Sequence, residues 1–147
     1  QEGDYLKYDF WLKLHRKLFG HVWSWAGSVR THELNDPDFL PRHEIWPALK
    51  GFEDDLSFWI SKESFPHQEL AARIHERVET IHPFANGNGR FGRIWVEHVC
   101  ERSAAEVPSW GFHLSESPNE RRRTYIDALV LARRDKDYAP LADFMFT

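Results

Sequence analysis

One stretch of the sequence decides how the chain folds and where its chemistry lies: Ile81-His82-Pro83-Phe84-Ala85-Asn86-Gly87-Asn88-Gly89-Arg90-Phe91-Gly92-Arg93. Pro83 prevents a preceding helix from continuing and leaves His82 at its exit. Gly87 and Gly89 allow backbone conformations that turn amide groups inward, just before a second predicted helix. Such amides at a helix N-terminus suit phosphate oxygens, so the stretch predicts an anion site beside an imidazole.

Two arginines strengthen that prediction, because Arg90 and Arg93 lie three positions apart and can point toward the same anion. Three other interpretations compete with it. The glycine spacing matches a dinucleotide-binding fingerprint, but a helical pattern precedes it where a strand is required. A P-loop fails because no Gly-Lys-Ser/Thr follows. The third alternative is a simple helix-helix turn with glycine caps and surface arginines.

Apolar residues recur at helical spacing on both sides of this stretch. Four stripes predict helices before it and after it, and a run that is apolar on several sides predicts a buried central helix. The positions are Leu6, Phe10, Leu14 and Leu18; Leu49, Phe52, Leu56, Trp59 and Ile60; Leu70, Ala71, Ile74, Val78 and Ile81; Ile94, Trp95, Val96, Val99 and Cys100; and Tyr125, Ala128, Leu129 and Leu131. Ser117, Pro118 and Glu120 predict the start of the fifth helix, and a short helix follows Asp137. The predicted fold class is all-α with at most one small β-hairpin, between residues 31 and 40.

Length and composition limit the possibilities. The 147 residues, 41% of them hydrophobic, make one packed domain over residues 1–147, and the start without Met allows for residues lost upstream. A net charge of −4 argues against nucleic acid as a partner, and no apolar run is long enough to cross a membrane. The single cysteine, Cys100, fits a reducing compartment, so a cytoplasmic location is expected.

Residues 82–93 resemble the signature of the Fic family, H-x-F-x-(D/E)-G-N-G-R-x-x-R. Other segments are similar to the upstream and closing helices of that family, so the resemblance covers nearly the whole chain. They are Leu14-His15-Arg16-Lys17-Leu18-Phe19, Trp23-x-Trp25-Ala26-Gly27-x-x-Arg30, Tyr125-Ile126-Asp127-Ala128-Leu129 and Asp137-Tyr138-Ala139-Pro140-Leu141. Within the family the chain looks most like the group called mobile mystery protein B.

The resemblance implies a Fic-type helical bundle that transfers AMP from ATP to a Ser, Thr or Tyr hydroxyl of a target protein. It implies that His82 takes the proton of the attacking hydroxyl, and that Phe84 anchors the nucleotide-binding loop. The amides of Gly87, Asn88 and Gly89 would hold the α-phosphate, and Arg90 and Arg93 the outer phosphates. Gly89 separates the chain from the Doc-like branch, in which a Lys follows the Asn, and makes kinase-like transfer the less favoured alternative.

Asn86 departs from the family pattern, which has Asp or Glu there to hold Mg²⁺. A neutral amide is a weaker ligand for a hard cation, so the nucleotide phosphates would have to carry most of the Mg²⁺ or Mn²⁺ coordination. Three outcomes stay open: a slow transferase, a transferase with another nucleotide or metal preference, or a regulatory module that has lost turnover.

Two further elements are expected from the resemblance. One is a target-binding flap, a hairpin that pairs with target backbone, for which the candidates are Thr31, His32, Glu33, Leu34, Asn35 and Phe39. The other is an inhibitory helix with S/T-x-x-x-E-(G/N), whose Glu would pair with Arg93. No Ser or Thr among these 147 residues is followed by Glu at the fourth position, so an inhibitory helix is expected either in residues upstream of this sequence or on an antitoxin-like partner acting in trans.

Overall fold

The computed structural model describes residues 4–147, and these form an all-α fold, as the apolar periodicity predicts. The helices are α1 (Tyr8–Phe19), α2 (Ile45–Ser61), α3 (His67–Ile81), α4 (Asn88–Arg102), α5 (Pro118–Asp135) and α6 (Ala139–Met145), with short 3-10 turns at Asp4–Leu6 and Arg42–Glu44.

Helix ends follow the local chemistry. The helix α3 ends at Ile81 and is capped by His82, which has a left-handed conformation with φ of 48°, before Pro83. The helix α5 begins after Ser117, whose side chain accepts a hydrogen bond from the Glu120 N–H at 3.2 Å. Both boundaries confirm the sequence prediction.

The helix α3 is the centre of the bundle, because α2, α4, α5 and α6 all pack against it. The sequence favoured α4 for that position, and α4 is indeed deeply buried, with Trp95 and Val96 fully inaccessible to solvent. However, α4 packs mainly on α3 and α1. As a result, both helices that flank the motif loop are held by the core, which fixes the loop at its two ends.

The helix α1 buries a different face from the one its stripe predicts. Leu14 and Leu18 are only half-buried, whereas Trp11, His15 and Phe19 form the buried row. A histidine in that row interrupts the apolar pattern, and for this reason the stripe was placed one position too early. His15 and Phe19 thereby face the motif loop.

The predicted β-hairpin is wrong, because residues 31–40 form no strand. The segment is an irregular strap, and its ends bond to other parts of the chain: Arg30 N–H donates to the Pro83 carbonyl at 2.9 Å, and Leu40 N–H to the Thr80 carbonyl at 3.1 Å. A turn at Asp36 fills the middle, where its side chain accepts from the Asp38 N–H at 2.9 Å. The backbone groups that a hairpin would pair internally are thus engaged elsewhere.

Among residues 4–147 no helix combines the length and the apolar character that a bilayer crossing demands.

Candidate active site

The motif loop runs from His82 to Gly87 and ends where α4 begins. Gly87 has φ of 77°, and a Cβ at this position would lie 2.8 Å from the Phe19 ring. Glycine is therefore required both by the backbone conformation and by the close approach of α1.

Asn88 closes the loop from inside. Its side chain is buried and makes two hydrogen bonds with the backbone of Phe84: the Phe84 N–H donates to Oδ1 at 2.9 Å, and Nδ2 donates to the Phe84 carbonyl at 2.8 Å. Asn88 therefore contributes its backbone to the surface of the site, whereas its side chain fixes the loop.

His15 supports the loop from below, a role that the sequence did not predict for this residue. Its ring is fully buried and stacks on Phe84 with a centroid distance of 3.7 Å. Gly27 N–H donates to Nδ1 at 3.0 Å, so the proton of the neutral ring lies on Nε2, which donates to the Asn86 carbonyl at 3.0 Å. The spacing from Trp23-x-Trp25 was the only signal in the sequence for this position.

A basin of about 550 Å³ lies over the loop. It brings together most of the residues that the motif predicts, and it adds two aromatic side chains from the first part of the chain. Its lining is Phe19, Trp23, His82, Ala85, Asn86, Gly87, Asn88, Gly89, Arg90 and Arg93. Phe84 does not line it: this side chain is fully buried beneath the loop, so it can anchor the loop but cannot touch a nucleotide in the basin.

His82 presents one ring nitrogen toward reacting groups. Its Nδ1 lies 3.2 Å from the Glu79 carbonyl, which can only accept, so Nδ1 carries the proton and Nε2 is left as an acceptor. Burial lowers the pKa of His82 to about 4, with Arg30 acting in the same direction and the Glu79 bond opposing it. The imidazole is therefore neutral at pH 7.

The strap holds His82 in place. Phe39 stacks on the imidazole with a centroid distance of 3.8 Å and an interplanar angle of 11°. Arg30, which is nearly buried, donates hydrogen bonds to the carbonyls of His82 at 2.7 Å, His32 at 3.1 Å and Leu40 at 2.5 Å. The Arg30 guanidinium thus links both ends of the strap to His82, the candidate general base.

Of the other predicted flap residues, Thr31, His32, Glu33 and Asn35 are exposed and Leu34 is half-buried. None of them lines the basin, so within this set only Phe39 contacts the site.

A second cavity, the side chamber, of about 310 Å³ opens beside the basin and shares His82, Gly89 and Arg93 with it. Phe39 of the strap and apolar residues of α5 supply apolar walls, Asp36 and Asp38 place two carboxylates on the strap side, and α3, α4 and α5 supply a polar floor. The lining consists of Asp36, Asp38, Phe39, Glu79, His82, Gly89, Arg93, Arg122, Tyr125, Ile126, Leu129, Val130 and Arg133.

Burial strongly shifts the pKa values of Glu79 and Tyr125 on the floor of the side chamber and of His75 behind it, and no sequence pattern predicted these shifts. Burial raises the pKa of Glu79 to about 8, although Arg93 and Arg133 act against the rise. The Tyr125 hydroxyl lies 2.7 Å from His75 Nε2, and burial raises the pKa of Tyr125. Burial also lowers the pKa of His75 to about 3, so this histidine is neutral.

The residue at the metal position does not fit a cation held by the protein. The Asn86 Oδ1 accepts a hydrogen bond from the Gly87 N–H at 2.7 Å, and no carboxylate lines the basin. Among residues 4–147 no group of three or more His, Cys, Asp or Glu side chains is placed to bind a metal.

Comparison with known proteins finds relatives that are named as protein adenylyltransferases. The chain is 29% identical to a probable protein adenylyltransferase, y4lH, of Sinorhizobium fredii, over 96% of this chain and 71% of that protein. It is 30% identical to protein adenylyltransferase fic-1 of Caenorhabditis elegans over 90% of this chain, which spans only 25% of that protein.

Solved structures agree in fold. A fragment of Fic-1 from C. elegans superposes with a TM-score of 0.73 at 26% identity, covering 95% of this chain and 39% of that one. The BepC protein of Bartonella tribocorum, solved with bound AMPPNP, has a TM-score of 0.72 at 22% identity, covering 95% of this chain and 72% of that one. Finally, the model of the Fic/DOC family matches residues 5–100, which is about two thirds of the chain. The chain therefore belongs to the Fic/DOC family.

Proposed function

We propose that this protein transfers AMP from ATP to a hydroxyl side chain of a target protein. The observation that carries the proposal is the basin, in which His82 lines the same cavity as the backbone of the motif loop and the arginines in the first turns of α4. Two relatives named as protein adenylyltransferases support the same chemistry.

The phosphates are held by the loop in this proposal. The backbone at Gly87 and Gly89 and the N-terminus of α4 offer amides to the α-phosphate, where charge develops during transfer. Arg90 and Arg93 bind the outer phosphates, and Arg93 makes no ion pair with any described residue.

His82 acts as the general base. The target hydroxyl oxygen forms a bond to the α-phosphorus, the bond from that phosphorus to the bridging oxygen breaks, and pyrophosphate leaves. The hydroxyl proton passes to His82 Nε2, the nitrogen that the Glu79 carbonyl leaves unprotonated. A pKa of about 4 makes a weak base in the free protein. Bound phosphates raise the pKa of His82 toward neutrality, because negative charge favours the imidazolium.

Asn86 supplies no anionic ligand, so any Mg²⁺ or Mn²⁺ would travel with the nucleotide, coordinated by its phosphates. We also propose that inhibition comes from a separate antitoxin-like protein that presents a carboxylate to Arg93. The chain itself has no S/T-x-x-x-E segment to do so.

The test is transfer of label from ATP carrying a radioactive α-phosphate to proteins of a cell lysate and to the protein itself. Native protein is expected to label a target, and His82→Ala to lose at least about 100-fold in rate. The matched control is His113→Ala, at an exposed histidine outside the site, which should keep the native rate. If native protein and His82→Ala label equally, or neither labels anything, the transferase proposal is wrong and a binding module is the better interpretation.

A further inference from the structure

A buried carboxyl group on the floor of the side chamber has no assigned role. Glu79 is only 6% exposed, and its Oε1 has no hydrogen-bond partner among the described residues. A buried polar atom without a partner destabilises the folded state, so its retention calls for an explanation.

The neighbouring helix makes room for this group. A Cβ at residue 92 of α4 would collide with Glu79 Oε1, so Gly92 is the residue that lets the carboxyl lie between α3 and α4. This contact also explains the third glycine of the apparent dinucleotide fingerprint, for which the motif loop has no other use.

Glu79 also borders space that a ligand can enter. The side chamber shares His82, Gly89 and Arg93 with the basin. Phosphates held in the basin would therefore leave the attached nucleoside at the chamber's entrance. The size of the chamber, at the lower end for small-molecule sites, and its apolar walls suit a flat base.

We propose that the Glu79 carboxyl determines nucleotide specificity by hydrogen-bonding the amino edge of adenine on the floor of the side chamber. This inference rests on the proposed function, because it concerns the nucleotide of the same site.

The hydrogen-bonding groups of a protonated Glu79 carboxyl and of the amino edge of adenine are complementary. Adenine presents an amino donor next to a ring-nitrogen acceptor, whereas the corresponding edge of guanine presents an acceptor pair or two donors. A protonated carboxyl offers one donor and one acceptor, which matches adenine. Burial raises the pKa of Glu79 to about 8 and favours this form at neutral pH, while the Arg93 and Arg133 charges oppose it. Tyr125, on the same floor, stays neutral as well, because burial raises its pKa.

The test measures nucleotide binding by calorimetry, independent of transfer. Native protein is expected to bind ATP about tenfold more tightly than purine riboside triphosphate, which lacks only the amino group. Glu79→Leu should lose about tenfold in ATP affinity and bind both nucleotides equally. Glu79→Gln should retain the preference, because an amide also offers a donor and an acceptor.

Several results would overturn the inference. One is native protein that binds the two nucleotides equally, a comparison that needs no variant. A second is an unchanged ATP affinity in Glu79→Leu. A third is an equal loss of affinity for ATP and for purine riboside triphosphate in this variant, which would indicate an effect through the phosphates. If the loss in Glu79→Leu disappears with 2′-deoxy-ATP, the contact is to the sugar and the assignment to adenine is wrong.

The outcomes separate this inference from the proposed function. Label transfer by native protein together with unchanged ATP binding by Glu79→Leu rejects only the role of Glu79. Amino-dependent ATP binding without transfer rejects only the transferase. A native protein that binds no nucleotide rejects both.

Discussion

Single buried polar side chains fix the backbone that presents the site. Asn88 bonds both backbone groups of Phe84, and His15 bonds the Asn86 carbonyl while it stacks on the Phe84 ring. The motif named Asn88, but only as a source of amides. It did not involve His15, because a histidine in an otherwise apolar helix looks like any packed histidine until the loop that folds over it is known.

At the residue scale, Asn86→Asp should strengthen the dependence of transfer on Mg²⁺. An ionised carboxylate near the phosphates adds about 2 kcal/mol of attraction for a divalent cation about 4 Å away in water, so the Mg²⁺ concentration for half-maximal transfer should fall about thirtyfold. The measurement is the transfer rate against Mg²⁺ concentration for the native protein and this variant.

Asn86→Ala serves as the control for that experiment. It removes the bond to the Gly87 N–H without adding charge, and it should not lower the Mg²⁺ requirement. If Asn86→Asp leaves the Mg²⁺ dependence unchanged, residue 86 does not lie where it can meet the metal.

At the scale of elements, the strap over residues 31–40 is the part that sequence patterns predicted least well. The structure has a turn at Asp36 in the middle of this segment. The pairing of its ends was not predicted, because their hydrogen-bond partners lie about 40 to 50 positions later in the chain, at Thr80 and Pro83. The local pattern suggested a hairpin because it shows only neighbouring residues. It could not show that the backbone N–H groups at the ends of the segment bond to carbonyls at the distant end of α3.

Arg30→Lys should release the strap. An ammonium group cannot reproduce the planar contacts of Arg30 to three separate carbonyls, so we expect a loss of about 2 kcal/mol or more in the free energy of unfolding. Urea denaturation measures that loss. Hydrogen exchange of residues 31–40 should become faster in this variant, because the strap opens without unfolding the helices.

The matched control is Arg42→Lys. Arg42 also bonds a strap carbonyl, that of Thr31, but it is exposed, so its replacement should change stability by less than about 0.5 kcal/mol. Equal effects of the two substitutions would mean that Arg30 has no special role in holding the strap.

At the scale of the whole molecule, the helices and the motif loop were predictable, whereas the side chamber was not. Period, proline and capping signals are local, and they gave the fold class and most helix positions. The chamber is lined by Phe39 of the strap, Glu79 of α3, Arg93 of α4 and Tyr125 of α5, which are four separate segments. No local pattern brings these together, and Glu79 is not part of the apolar stripe that predicted α3. The match to mobile mystery protein B, drawn from the motif, stays a prediction.

Acid stability is the property of the whole molecule that the buried histidines should control. His75 lies between α3 and α5, bonded to Tyr125, and burial lowers its pKa to about 3. Between that value and about 6.5 the unfolded chain binds a proton that the folded protein does not. Folding stability should therefore decrease as pH falls through this window, by about 1.4 kcal/mol per pH unit for this histidine alone. His75→Gln cannot titrate, so the stability difference between native protein and variant, measured by urea denaturation from pH 7 to pH 4.5, should shift in favour of the variant by that slope. The high pKa of Glu79 acts in the opposite sense, but it is present in both proteins and cancels in the difference. A difference that does not vary with pH would mean that His75 is protonated in the folded protein, and the burial of this cluster would have to be reconsidered.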